Sequence, residues 1–154
     1  MNNLSKLVIF TLDEQRYALH LSNVEKIFRA AEITALPKAP PIIMGLINIQ
    51  GTPLPVINVR KRFNLPAREL ELDDRLILAH TNKRKVVIVV DTVEDVIESQ
   101  ENNTIAAENI LPNIDYVEGI LKIDDGLILI HDLDKFLLLE EEDALNAAMQ
   151  KSNF

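Results

Sequence analysis

The chain has 154 residues and is 47% hydrophobic, yet it carries only five Phe, two Tyr and no Trp. That size suits one domain or two very small modules sharing a core, and the core must be built from Ile, Leu and Val, several of which favour strands. A formal net charge of −8 argues against phosphate backbones and anionic lipid heads as partners, and the absence of cysteine excludes disulfides and thiolate zinc sites.

The opening stretch, MNNLSKLVIFTLDEQ, holds too short an apolar run for a signal-peptide core, and no segment approaches the roughly 18 apolar residues of a membrane span. A cytoplasmic protein without direct membrane insertion is expected. Residues 7–12 read as a strand, Asp13-Glu14-Gln15-Arg16 as a polar turn, and 17–21 as a second strand. Val24 and Ile27 fall on a short helix or strand. Pro37, Pro40 and Pro41 then mark a loop packed over a surface. The apolar hairpin from Gly45 to Phe63 follows. Its Pro53 and Pro55 cannot donate to a ladder, which predicts an edge strand or a neighbouring bulge. The basic runs Arg60-Lys61-Arg62 and Lys83-Arg84-Lys85 read as solvated strand ends or turns, too short to form a nucleic-acid patch.

Residues 75–79 and 86–90 read as two more strands around a turn at Asn82-Lys83. Val86 to Val90 is apolar throughout, which predicts burial on both faces, as in a strand shared between two cores. A polar loop carrying Pro112 leads to a second hairpin, Gly119 to Phe136, with its turn at Asp124-Asp125-Gly126. Asp132 is placed to cap a helix running to Met149, with Leu133, Phe136 and Leu137 inward and Glu140 to Asp143 as a solvated face or second cap. Residues 150–154 are expected to fray.

The chain repeats itself. Leu7 matches Leu76, Ile9 matches Leu78 and Leu19 matches Ile88 at an offset of 76 − 7 = 69; Gly45 matches Gly119 and Val56 matches Ile130 at an offset of 119 − 45 = 74. The copies cover about 7–63 and 76–136, within one domain spanning 5–140 and followed by a helical extension and tail at 141–154. Leu7, Ile9, Leu19, Leu76, Leu78 and Ile88 should be buried. A unit of about five short strands is too small to bury a good core by itself. The expectation is that each copy closes into a small β-barrel and the two barrels pack together.

No residue pattern carries catalysis. His20, His80 and His131 lie in no metal-ligand spacing, no Gly-Lys-Ser/Thr follows Gly45 and Gly51, and no serine sits in a nucleophile elbow. No cofactor, no metal and no proton transfer by the histidines is expected; binding or scaffolding is favoured over an enzyme with a cleft between barrels.

GLINIQGTPLPVINVRKRF resembles the hallmark of the CheW-like domain family. Gly45, Ile47, Asn48, Gly51, Pro55, Val56, Ile57, Asn58, Val59, Arg60 and Phe63 fall on its pattern. The opening LVIFTLDEQRYALHLSNVEKI is similar to the family's first hairpin, VVIVVDTVEDV to its central strands, and YVEGILKIDDGLILIHDLDKFL to its closing hairpin and helix. The resemblance implies two pseudo-symmetric five-stranded SH3-like barrels. It also implies a non-catalytic adaptor of bacterial chemotaxis arrays, bound to the cytoplasmic tip of methyl-accepting chemoreceptors and to the regulatory domain of the histidine kinase CheA. Val24, Lys26, Gly45 and Gln50 match positions of the family's receptor groove, and Ile27 would complete an apolar trough with Gly45 open to an approaching helix. Lys26 and Gln50 depart from the best-known relatives, which carry an acid and an arginine there; glutamine lacks the planar five-donor fork of arginine. No kinase-binding residues follow. The alternative is a CheW-like module of a two-component system outside chemotaxis, controlling motility or development through a different receptor.

Overall fold

The computed structural model describes residues 4–100, 104–106, 116–123 and 126–151. The Pro112 loop, the Asp124-Asp125 turn and residues 152–154 lie outside them. Eleven strands are described: β1 (Leu4–Leu12), β2 (Gln15–His20), β3 (Val24–Arg29), β4 (Ile43–Ile49), β5 (Thr52–Ile57), β6 (Arg75–His80), β7 (Lys85–Val90), β8 (Thr92–Gln100), β9 (Thr104–Ala106), β10 (Val117–Ile123) and β11 (Gly126–His131). A one-turn helix α1 (Val59–Arg62) follows β5, and α2 (Leu139–Lys151) closes the described chain.

The strands form two sheets in the orders β8-β1-β2-β11-β10-β9 and β3-β6-β7-β5-β4. These are the two five-stranded SH3-like units, with the three-residue β9 added to the first. Exchanging the copies turns one order into the other, and the registers agree: Val8 faces Val96 as Ile77 faces Ile27, and Ala18 meets Ile130 as Val87 meets Val56. The bulges repeat too. Glu25 and Glu94 are the extra residues on β3 and β8, and Met44 and Glu118 those on β4 and β10.

Neither copy closes on itself, contrary to the expectation from the repeat. Each barrel takes its first two strands from one copy and the other three from its twin. The reason is reach. The partner of β1 must begin opposite Thr11, but β2 ends opposite Leu7, four residues or about 13 Å away. Only a three-residue 3-10 turn, Leu21–Asn23, leaves β2, and at about 2 Å per residue it spans roughly 6 Å. Asp91 solves the problem from the other copy: its N–H donates to the Thr11 carbonyl at 2.9 Å and starts β8 at Thr92 beside Thr11.

Alternation then divides the apolar residues among three cores. Leu7, Ile9, Ile128 and Ile130 fill one barrel, and Leu76, Leu78, Val56 and Val87 the other. Their strand neighbours Phe10, Leu12, Ile77, Ile88 and Val90 point the opposite way into a central core between barrels. The six residues expected to be buried are all under 9% exposed, and Val86 to Val90 does serve two cores. Each such Leu or Ile contributes about 1.5–3 kcal/mol relative to exposure.

Several local expectations change. The polar turn after β1 is two residues, Asp13 and Glu14, both at positive φ (51° and 70°), while Gln15 and Arg16 pair with Leu12 and Thr11. A two-residue turn of this hand matches the twist of the flanking strands. Strand β5 is not at an edge. It does have a neighbouring bulge, the other alternative: its contact with β7 covers only Val56 and Ile57, so Pro55 lies just beyond it, close to the Met44 bulge, and Pro53 two residues further on, opposite Asn48. Asp132 caps a 3-10 turn, Leu133–Lys135, rather than a long helix. The helix begins at Leu139, with Glu141 reaching back to the Leu138 N–H at 2.8 Å as in a capping box. It continues through Gln150 and Lys151, which were expected to fray.

Candidate protein-binding surface

Three of the expected site residues stand on β3, and the residues opposite them fix their faces, since directly opposed side chains share one side of a sheet. Val24 faces Ala79 and Ile27 faces Ile77, both members of the central core, so Val24 and Ile27 point to the side of β3 that borders the seam between barrels. Val24 packs against that core, whereas Ile27 is 41% exposed. Lys26 faces Leu78, which lies inside the barrel, so it takes the other side of the strand. There its Nζ sits 5.1 Å from the centre of the Phe28 ring, a contact worth about 0.5–1 kcal/mol at an exposed site.

The hairpin residues behave differently. Gln50 is exposed at the tip of the β4–β5 turn, with φ 53°. Gly45 is buried rather than open to a partner. A Cβ built on it would lie 2.3 Å from the Thr34 carbonyl oxygen, and its φ is +153°. The chain's own backbone fills the space, because Thr34 and Leu46 exchange N–H···O bonds of 2.8 and 2.7 Å that tie the continuation of β3 to β4. On the other barrel β9 makes the equivalent link to β10. The structure thus brings Val24 and Ile27 to one face, puts Lys26 on the other, and gives Gly45 to barrel closure.

The basic runs are not simply solvated. Arg60 is 9% exposed. It donates to Asp91 at 2.8 and 2.9 Å, to Asp13 at 2.9 Å and to the Pro66 carbonyl at 3.2 Å. Arg68 bridges Asp91 at 2.5 Å and Asp74 at 2.7 Å, and the Asp13 N–H adds a bond of 2.8 Å to Asp91. Burial alone would raise the Asp91 carboxyl; the bonds from Arg60, Asp13 and Arg68 outweigh it and hold the group below the usual carboxylate range. This knot ties α1, the β1–β2 turn, the end of β7 and the 64–74 connection together. Arg62 pairs with Glu141 at 2.5 Å and Arg84 with Glu142 at 2.9 Å, so much of the acidic run of α2 is docked as well. The sequence signal for the knot was available: Arg60 lies in the hallmark stretch and Asp91 is the single residue between two strands.

Among the described residues no three His, Asp or Glu side chains are grouped to hold a metal, and no helix is long and apolar enough to cross a membrane.

This architecture has close counterparts. The chain is 31% identical over 144 residues to a chemotaxis protein CheW of Bacillus subtilis (strain 168), covering 92% of this chain and 91% of that one. It is 29% identical over 133 residues to a chemotaxis protein CheW of Thermotoga maritima, with coverage of 86% and 87%. The crystal structure of the scaffolding protein TtCheW from Thermoanaerobacter tengcongensis superposes with a TM-score of 0.80 at 34% identity, covering 92% of this chain and 96% of the other. The CheW-like domain model matches residues 6–141, and with the interlocked barrels in place the chain belongs to the CheW-like domain family.

Proposed function

We propose that this chain is a non-catalytic coupling adaptor of chemotaxis, linking the cytoplasmic tip of methyl-accepting chemoreceptors to the regulatory domain of the histidine kinase CheA in the cytoplasm. Family membership and the scaffolding role of its structural neighbour support the adaptor class. The observation that carries the receptor contact is Ile27, an apolar side chain 41% exposed on the seam side of β3, next to the half-buried Val24. A helical receptor tip would lay its apolar stripe there, in the helix-in-groove mode. Lys26, on the opposite side of β3, and Gln50, at the hairpin tip, would act only at the rim.

Ile27→Glu is the direct test. A carboxylate left unpaired at a desolvated contact costs roughly 2–5 kcal/mol, about 30-fold or more in affinity. Binding to a receptor-tip fragment should fall by that factor while binding to the kinase regulatory domain and the melting temperature stay unchanged. Lys26→Glu should weaken binding less, and in a salt-dependent way. A folded Ile27→Glu protein with wild-type receptor affinity would rule out this face.

A further inference from the structure

His131, the last residue of β11, is 1% exposed, and among the described residues neither of its ring nitrogens has a hydrogen-bond partner. A neutral imidazole carries one donor and one acceptor, and both are left unmade here. Four rings surround it: Phe63 stacked at 4.2 Å, Tyr17 at 5.1 Å, Tyr116 at 5.7 Å and Phe136 edge-on at 5.8 Å. Packing does not require an imidazole at this place. The equivalent residue of the first copy, 131 − 74 = 57, is Ile57, fully buried in the central core.

Among the described residues, Arg60, Arg62, Glu118 and Asp132 on the neighbouring elements are engaged elsewhere, and no ion pair or hydrogen bond joins Lys61 or Lys135 to the ring. Arg60 is held by Asp13 and Asp91, and Arg62 by Glu141. Glu118, on the β10 bulge, pairs outward with His20, and the Asp132 carboxylate accepts from the Asp134 N–H. Burial pushes the phenols of Tyr17 and Tyr116 up, so both stay neutral through the acid range. The four sides of the box are unequal. Tyr17 and Phe136 are buried, whereas Phe63 and Tyr116 are half-buried.

We propose that His131 is a proton-operated latch on the barrel seam: the box admits only the neutral imidazole, so acid selects an opened form in which Phe63 and Tyr116 have parted from it. Desolvation agrees in direction, lowering the imidazole from 6.5 to about 3 in the closed state. The opened form binds the proton more readily, so the latch is silent above pH 6.5, and opening becomes more favourable as pH falls from 6.5 towards 3. At pH 5 an imidazole restored to its ordinary pKa favours opening by about 30-fold.

The test uses the full chain. Histidine C–H resonances are followed by NMR from pH 8 to 4.5, and amide hydrogen exchange, corrected for its intrinsic pH dependence, is compared at pH 7 and 5. The closed-state His131 signal should stay at the neutral-imidazole position while His20, raised by its bond to Glu118, titrates above 6.5. Protection of the Val117 and Asp132 amides should fall about 30-fold more than that of the β6 and β7 amides, and His131→Ile should abolish the excess. A His131 signal titrating near 6.5 in the closed protein would overturn the latch. So would an excess unchanged in His131→Ile, or an equal loss across both barrels, which is global unfolding. Should His131→Ile not fold, His131→Phe and the wild-type titration decide in the same way.

Discussion

Arg60 and Asp134 occupy the same place in the two halves, since 60 + 74 = 134, and each reaches the first hairpin turn of its own copy: Arg60 to Asp13, Asp134 to the N–H of Asn82, where 13 + 69 = 82. The duplicated topology forces the meeting twice. What happens at the meeting differs. On the Arg60 side the 64–74 connection brings Arg68 and Asp74 alongside, and Asp91 gathers two guanidinium groups and a backbone N–H. On the Asp134 side the contact is a single exposed bond of 2.8 Å. There the chain instead turns into α2, whose Glu141 and Glu142 hold Arg62 and Arg84. Symmetry of fold does not bring symmetry of charge, because the sequences that leave the two hairpins differ.

Breaking the symmetric closure should have the largest effect. Gly45→Ala pushes a methyl into the Thr34 carbonyl and asks an alanine to hold φ +153°. Backbone strain of about 1–3 kcal/mol and overpacking of about 1–3 kcal/mol add to roughly 3 kcal/mol or more, read as a lower urea midpoint. Gly51→Ala is the control. Its φ is +88° but its missing Cβ faces open space, so it should cost only about 1 kcal/mol.

The charged knot comes next. Arg60→Ala removes the partner of Asp13 and leaves Asp91 with Arg68 and the Asp13 N–H; at a side chain only 10% exposed this should cost about 2–4 kcal/mol in urea unfolding at pH 7. Because the Asp91 carboxyl is held below its ordinary 3.8, that stabilisation is complete above pH 3.8 and is lost as pH falls through the lowered value. The gap between wild type and Arg60→Ala should therefore narrow in strong acid. Asp134→Ala, at the equivalent position, should cost only about 1 kcal/mol. Equal costs for the two would refute the asymmetry.

The smallest effect is expected at His20. Its hydrogen bond to Glu118 raises the imidazole above 6.5, so the charged pair stabilises the fold fully below pH 6.5 and less as pH rises through the raised value. The pair is partly exposed, which limits it to under about 1 kcal/mol. His20→Asn should lower the melting temperature slightly at pH 6 and leave it unchanged at pH 9.

Much of this protein was set by sequence alone. Period-two alternation places Leu7 and Ile9 on one face and Phe10 and Leu12 on the other, whatever barrel they enter, and the offsets of 69 and 74 announce two equivalent units. These are local properties of strands. The exchange of strands between copies, the burial of Gly45 under Thr34 and the separation of Lys26 from Ile27 were decided only in three dimensions. Each depends on where a distant segment arrives: β8 on the single residue Asp91, the Thr34 link on where the segment after β3 meets β4, the faces of β3 on one extra residue at the Glu25 bulge. Likewise the basic run Arg60-Lys61-Arg62 looks solvated until the fold sets Asp91 and Glu141 against its arginines, because a charge takes its environment from residues that are neighbours in space and strangers in sequence.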